Sequence, residues 1–570
     1  MRLKHRLLLI GFVIISAAVY LIGNGSVALW DRDEPRYAQT SRQMLQSGDW
    51  VVPHYLDMIR TAKPALIYWC QATAMEIFGD NAFAARFPSA IAIVILLIVL
   101  LNTLPKSIGK ERAYWTVFIF ATSGLTIASA KMCITDAVLL LFITVAQLCL
   151  YRIWRGTGSW PVVITLGVAV GLAGLTKGPV ILGMQAMTVL ALFGLLLLDR
   201  KYPPIDISRA APPGETSPMN RDRFKPIDKK RIALKTFAAI LIAAALILPW
   251  VVMVNHRAAE FLRTTLSHDV WDRMMTPLEQ HTGPPGYYLL TIWATLFPWS
   301  LFLPLAIGLA FRYRANPQTR FALAAAIGPW FMLELVRTKL PHYLLPAFPP
   351  LAFLIGEAIV RTLRKQHDEI YRRGFLIGVG VWALLIALAT AGPWVTVMAV
   401  RPLPWMGMIT LTTIGLLLAI TVFILFLQKQ LAKAAVLMGI GTFAMVIAAY
   451  GLYLPNAQFL QISPRVASVL KANGATERGQ VGMYEYMEPS LAFYQGGTIR
   501  ELATIRFLPP WAGMFREWMV LPKEKFDAAP DSLKNEFDVI ATVRGLAYAD
   551  RMKWKDVMVI HRKVNPTTKP

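Results

Sequence analysis

The sequence predicts a polytopic α-helical membrane protein with about 13 transmembrane helices and a C-terminal α/β domain. Three observations predict it. Hydrophobic residues make up 56% of the 570, and charged residues only 16%, against roughly 25% in an ordinary soluble protein. Apolar stretches long enough to cross a bilayer recur as far as residue 454. Basic residues collect in alternate connections between those stretches.

The apolar segments run over residues 7–25, 86–104, 113–130, 137–153, 160–176, 179–198, 236–254, 286–310, 321–336, 343–361, 374–396, 405–427 and 434–454. The pair flanking "TKGP" and the segment 321–336, which carries "GPW" and Glu334, are the least regular. The N-terminal "MRLKHRLLLIGFVIISAAVYLIG" has the basic head and apolar run of a signal peptide. It is read here as an uncleaved first helix, because no small-residue cleavage site follows and a charged knot does.

With a cytoplasmic N-terminus, the cytoplasmic connections are "PKSIGKER", "YRIWRGTGSW", residues 199–235, "FRYRANPQTR", "RTLRKQHDEIYRR" and "QKQLAKA". All are basic, as the positive-inside rule requires. The 199–235 loop alone carries ten Lys or Arg, from Arg200 to Lys235. This placement explains much of the +24 formal charge and removes the case for nucleic acid.

The far side then receives residues 26–85, "KMCITDA", residues 255–285 and "RTKLPHY". An odd number of spans sends the C-terminus there too. Residues 1–455 are read as the membrane domain and 456–570 as the α/β domain, with "GQVGMYEY", "EWMVL" and "DVIATV" as short strands. Of the three cysteines, Cys149 reads as apolar filler, and whether Cys70 and Cys133 pair is left open. No CxxC or His/Cys spacing suggests zinc.

The charged knot is "WDRDEPRY", directly after the first span. Pro35 suits a first helical turn, so Asp33 and Glu34 stand at a helix start just above the membrane. Their plain role would be to cap that helix. "ALIYWCQATAMEIFG" reads as a second, interfacial helix. Convergence favours a site. Asp136 opens a helix in the second far-side turn, and Lys177 lies between apolar runs, where a lysine is costly unless paired or facing a wet cavity. His268 and Arg273 follow in "HDVWDR", and Arg337, Lys339, His342 and Tyr343 in "VRTKLPHY". Lysines and arginines at one membrane face suit a phosphate or pyrophosphate. An adjacent carboxylate can act as general base or organise a divalent cation. There is no Walker or Rossmann glycine pattern, so an activated donor would arrive attached to lipid.

These motifs resemble the ArnT-like bacterial glycosyltransferases, GT-C enzymes related to protein O-mannosyltransferases. The resemblance rests on "WDRDEPRYAQTSRQMLQSGDWVVPHYLDMIRTAKPALIYW", "ITDAVLLLF", "GLTKGPV", the His-x4-Arg of "HDVWDR", "PPGYYLL…FPW" and "KLPHYLLP", and covers nearly the whole chain. It implies a bacterial inner-membrane enzyme, with active site and C-terminal domain in the periplasm. Its donor would be a sugar on undecaprenyl phosphate and its acceptor lipid A or another envelope glycan. The sugar would be 4-amino-4-deoxy-L-arabinose or another, such as galactosamine. Asp33 is then the catalytic acid residue. Arg36, Tyr37, Lys63 and Tyr343 contact the donor phosphate or line its cavity, and Glu34, Asp136, Lys177, His268, Arg273 and Lys339 complete the polar site. One departure is clear: the family's "EKP" run reads "TAKP" here, with Ala62 in place of the carboxylate, so a metal or sugar-amine contact made by that group is not carried over. The acceptor alternatives are protein or O-antigen. A lipid-linked sugar transporter would place its charges near the midplane and build inverted repeats, and the sequence does neither.

Overall fold

The computed structural model describes residues 2–202, 229–265, 267, 283–364, 371–395, 403–502 and 517–563. The chain is a multi-span membrane protein. The apolar segments all coincide with helix, but not with thirteen uniform spans. Among the described residues, nine helices are long and apolar enough to cross a membrane, or ten if one bent pair counts as a single span. The first helix, α1 (Arg2–Leu21), keeps only a short apolar part over Arg6–Leu21. The segment expected at 286–310 is split into a helix Tyr287–Thr295 and an apolar stretch Trp299–Arg312, with Pro298 at the break.

Between α1 and the second span lie α2 (Asp33–Ser47), a two-stranded hairpin of β1 (His54–Tyr55) and β2 (Met58–Ile59), and α3 (Leu66–Phe78). α2 ends because Gly48 adopts the left-handed conformation at φ 70° and returns its N–H to Met44 O. The Tyr37 and Met44 side chains share its buried face. α4 (Ala82–Ile108) starts on the Asn81 side chain, which accepts from the Ala84 N–H.

α5 (Lys110–Thr122) and α6 (Gly124–Ala130) form the bent pair, at 61°. The kink has a local cause. Gly124 N–H leaves the helical ladder to bond Phe297 O at 2.7 Å. Three further spans follow: α7 (Asp136–Trp154), α8 (Trp160–Lys177) and α9 (Val180–Lys201). α9 lies tightly against the helix Pro317–Leu335. A Cβ on Gly328 would come 2.5 Å from Thr188 N, so only glycine permits that approach.

After the last span, a mixed sheet has the order β4-β3-β5-β7-β6. Its strands are β3 (Val481–Tyr484), β4 (Ile499–Leu502), β5 (Trp518–Pro522), β6 (Phe537–Ala547) and β7 (Lys553–Arg562). β3 runs parallel to β4 and β5, while β7 is antiparallel to β5 and β6. The core of this domain gathers Val466, Leu470, Val481, Val520, Val557 and Val559. The domain sits on the first loop. Leu29 N–H donates to Tyr494 Oη at 2.8 Å, Asp31 N–H to Tyr548 Oη at 2.8 Å, and Arg42 Nη1 to Phe493 O at 2.7 Å.

Beneath α2 is a fully buried ion pair, Glu34–Arg86, at 2.6 Å. Arg86 spends its fork on Glu34 and on the carbonyls of Asn24, Val27 and Ala28. Glu34 also accepts from Trp30 N–H and Cys133 N–H, each at 2.7 Å. Glu34 thus serves the loop's foundation and does not line the site. At the helix N-cap, Arg32, no side-chain cap bond forms. Removing one partner of such a pair strands the other charge in a dry environment. Glu34→Ala is expected to cost about 3–5 kcal/mol, read as a lower midpoint of thermal unfolding in detergent, with Glu34→Ala/Arg86→Met recovering part of it.

Candidate active site

A cavity of about 270 Å³ opens where the first loop meets the ends of the membrane helices. It has two halves. The membrane half is Asp136 at the start of α7, Lys177 at the end of α8, and His342 and Tyr343 in the 3-10 turn Pro341–Ala347. The loop half is Asp33, Arg36 and Tyr37 on α2, and Arg60, Ala62 and Lys63 after β2. Each polar group stands at a helix end or in the loop, so none interrupts a span.

The membrane half is internally paired. Lys177 Nζ bonds Asp136 Oδ1 at 2.8 Å and lies 4.5 Å from the centre of the Tyr343 ring. His342 Nε2 is 3.9 Å from Asp136 Oδ2, and its ring meets that of Tyr343 edge-on at 4.9 Å. This arrangement makes a lysine tolerable at the membrane boundary. In the loop half, the Tyr37 and Tyr68 rings stack at 5.8 Å. Arg60 lies over Tyr37 and gives its Nε–H to Tyr68 Oη at 3.0 Å. Burial, with Tyr68 adjacent, holds the Tyr37 phenol well above 10, so it stays a proton donor. Lys63 Nζ donates to Ala62 O at 2.6 Å.

The structure therefore brings Asp33, Arg36, Tyr37, Lys63, Asp136, Lys177 and Tyr343 to one cavity. Lys339 is not among its lining residues. Its ammonium bonds Glu334 at 2.7 Å and Pro284 O at 3.2 Å. Glu334 in turn accepts from Gly286 and Tyr288 N–H, so this lysine fastens the Tyr343 turn to the neighbouring helix start. His268 and Arg273 lie outside the described residues. Arg60 is the charged lining residue to which the sequence assigns no role. Only its charge, three residues before Lys63, could have signalled it.

A divalent cation fits the described cavity poorly. Its carboxylates are Asp33 and Asp136, and Asp136 is engaged by Lys177 and His342. Among the described residues, no three His, Cys, Asp or Glu side chains converge on a metal-sized site. Cys70 and Cys133 are both free thiols, which answers the pairing question for these two.

Comparison with known proteins gives a consistent picture. Residues 6–264 match the family model described as dolichyl-phosphate-mannose-protein mannosyltransferase. The chain is 29% identical, over 409 residues, to the undecaprenyl phosphate-alpha-4-amino-4-deoxy-L-arabinose arabinosyl transferase 2 of Proteus mirabilis, covering 69% of this chain and 68% of that one. It is 29% identical over 385 residues to the corresponding transferase of Edwardsiella ictaluri, covering 66% of this chain and 64% of that protein. The crystal structure of ArnT from Cupriavidus metallidurans bound to undecaprenyl phosphate superposes with a TM-score of 0.72 at 17% identity, over 100% of this chain and 99% of that one. The chain is similar in sequence to these transferases, and its fold matches that of the ArnT structure.

The C-terminal domain meets the loop through a carboxylate of unusual character. Asp31 accepts from Ser490 N–H at 2.8 Å. Its pKa is pushed up to about 7, first by burial and then by the neighbouring Glu488. A raised carboxylate pKa means that the folded state prefers the protonated form. That preference stabilises fully below the ordinary value of 3.8 and is lost as pH rises towards about 7. The thermal midpoint is therefore expected to fall between about pH 4 and pH 7, and Asp31→Asn to flatten that slope in a pH-scanned unfolding series.

Proposed function

We propose that this chain, an ArnT-like glycosyltransferase of the GT-C class, moves a sugar from undecaprenyl phosphate to lipid A or another envelope glycan. On this reading the chain lies in a bacterial inner membrane, divides near residue 455, and turns both its cavity and its C-terminal domain to the periplasm. The observation that carries the proposal is the cavity itself: four cations and two carboxylates at the membrane boundary, reachable by a lipid-borne phosphate. Its relatives are named for an undecaprenyl phosphate-linked aminopentose donor, and the ArnT structure of the same fold is bound to undecaprenyl phosphate. The basic connections on the opposite face support the orientation. There Asp199 pairs with Arg314 and Arg320, and Glu357 with Arg112 and Arg361.

The chemistry follows from the halves of the site. The bond between the anomeric carbon and the phosphate oxygen breaks, and its electron pair leaves with the lipid phosphate. Arg36, Lys63 and Lys177 stabilise that phosphate by charge-assisted contacts, with Tyr37 and Tyr343 as phenolic donors. The acceptor oxygen attacks from the opposite face and inverts the centre. A phosphate acceptor is already a nucleophile at neutral pH, and Asp33 then positions groups and balances charge. For a hydroxyl acceptor, Asp33 takes the proton. His268 and Arg273 are assigned to the same site by their motif alone.

A hydroxyl of protein or O-antigen is the second acceptor to test, favoured by the match of residues 6–264 to a protein mannosyltransferase model. The two acceptors separate on one variant. Asp33→Asn is expected to lower transfer by about 10²–10⁴-fold if Asp33 is the base, with membrane expression and donor binding retained. An active Asp33→Asn enzyme would exclude Asp33 as a base and leave the phosphate acceptor. Lys63→Ala is expected to weaken donor binding in a vesicle assay, and unchanged affinity would make Lys63 structural.

A further inference from the structure

Arg36 stands where the cavity meets the C-terminal domain. It lines the cavity, and on α2 it shares a helical face with Gln39 and Gln43. Both glutamines reach away from the membrane helices. Gln43 closes on the hairpin, donating to Leu56 O at 2.8 Å and accepting from Leu56 N–H at 2.7 Å. Gln39 packs so closely on Gly497 of the C-terminal domain that a Cβ there would collide with its amide. Strand β4 begins two residues later, and its Glu501 accepts from Tyr55 Oη of the hairpin at 3.4 Å. Asp57 at the hairpin turn pairs with Arg478 and lies 3.9 Å from Arg500, also on β4. The first loop and the edge of the C-terminal sheet are thus clamped together beside Arg36.

Three carboxylates act on Arg36 from this side: Asp31, Glu488 and Glu501. Burial raises each of these carboxyl groups, and the Arg36 guanidinium opposes the rise in all three. Asp31 also accepts from Ser490 N–H at 2.8 Å, and Glu488 lies 4.0 Å from Arg32. Glu501 is the most exposed of the three, and Arg36 is the leading charge that acts on it.

A guanidinium shared with fixed carboxylates holds an anion less tightly, and the deficit grows with the charge of the anion. The donor phosphodiester carries one negative charge. The phosphate monoester left after transfer has a second pKa near 6 and carries about 1.5 to 2 charges at pH 7. A carboxylate behind Arg36 therefore penalises the product more than the donor. Product release limits many enzymes, and a lipid phosphate gripped by several cations would block the next turnover.

Resting on the lipid-linked donor proposed above, we infer that Glu501 of the C-terminal domain is a counter-charge to Arg36 that loosens the hold of the cavity on the spent lipid phosphate. The C-terminal domain then takes part in turnover, and its contact with the hairpin sets the distance between the two charges.

The test uses the full-length protein in nanodiscs and two ligands, a short-chain polyprenyl phosphate and its methyl ester, which differ by about one charge. Glu501→Gln is expected to tighten the phosphate by about fourfold and the methyl ester by about twofold, since the Coulomb energy scales with ligand charge. Glu501→Asp keeps the charge and should keep most of the wild-type affinity. Asp538→Asn removes a carboxylate from β6, the opposite edge of the same sheet, and should change neither affinity. Tighter binding is a gain that damage to the fold does not imitate. Unchanged or weaker phosphate binding in Glu501→Gln overturns the inference and leaves the lipid-linked donor standing, as does an equal gain in Asp538→Asn. Failure of the wild-type protein to bind either lipid overturns the donor reading as well.

Discussion

The Glu34–Arg86 ion pair is the constraint on which the site depends. It is dry, with both side chains fully buried, so each charge must find all of its partners inside the protein. The partners come from four separate places. They are the exit of the first span at Asn24 to Ala28, the start of α2, the helix α4, and Cys133 just before α7. A single pair thus fixes the height of α2 over the membrane. Asp33, Arg36 and Tyr37 are carried by that helix. The neighbouring residue of the knot, Asp31, faces the other way and holds the C-terminal domain through Ser490. One charged hexapeptide serves three tasks: foundation, site and docking.

The cavity follows from this placement. Membrane helices deliver polar groups at their ends, where a charge costs less than at the midplane. Asp136 and Lys177 neutralise each other there, with the His342 ring 3.9 Å from Asp136. The loop, pinned by Glu34 and Arg86, brings Arg36, Arg60 and Lys63 to the same cavity. Positive excess at a membrane boundary attracts an anion that is itself held in lipid, which is the physical basis of the proposed donor.

Much of this was legible in the sequence, for identifiable reasons. Long apolar runs and basic connections are strong signals, and every run became helix. The kink at Ser123–Gly124 was not legible, because the carbonyl that causes it belongs to Phe297, far along the chain. β7 escaped notice because its central Val557–Ile560 are buried on both faces, which erases the alternation that marks a half-exposed strand. Glu34 and Asp33 are adjacent and chemically alike, and only the position of Arg86 separates foundation from site. Lys339 is a similar case: Glu334 is visible in its apolar segment, but that the two side chains pair is shown only by the fold. Arg60 carries no motif, and its partners Tyr37 and Tyr68 become visible only when the loop closes.

The central claim is that a sugar leaves a lipid phosphate in this cavity for an envelope acceptor. Its most direct test is mass spectrometry of lipid A and the other envelope glycans from cells with and without this gene. The account predicts the loss of one sugar mass from a defined envelope component, and the size of that mass identifies the sugar. Lipid A, O-antigen, capsule and protein glycans all unchanged would contradict it.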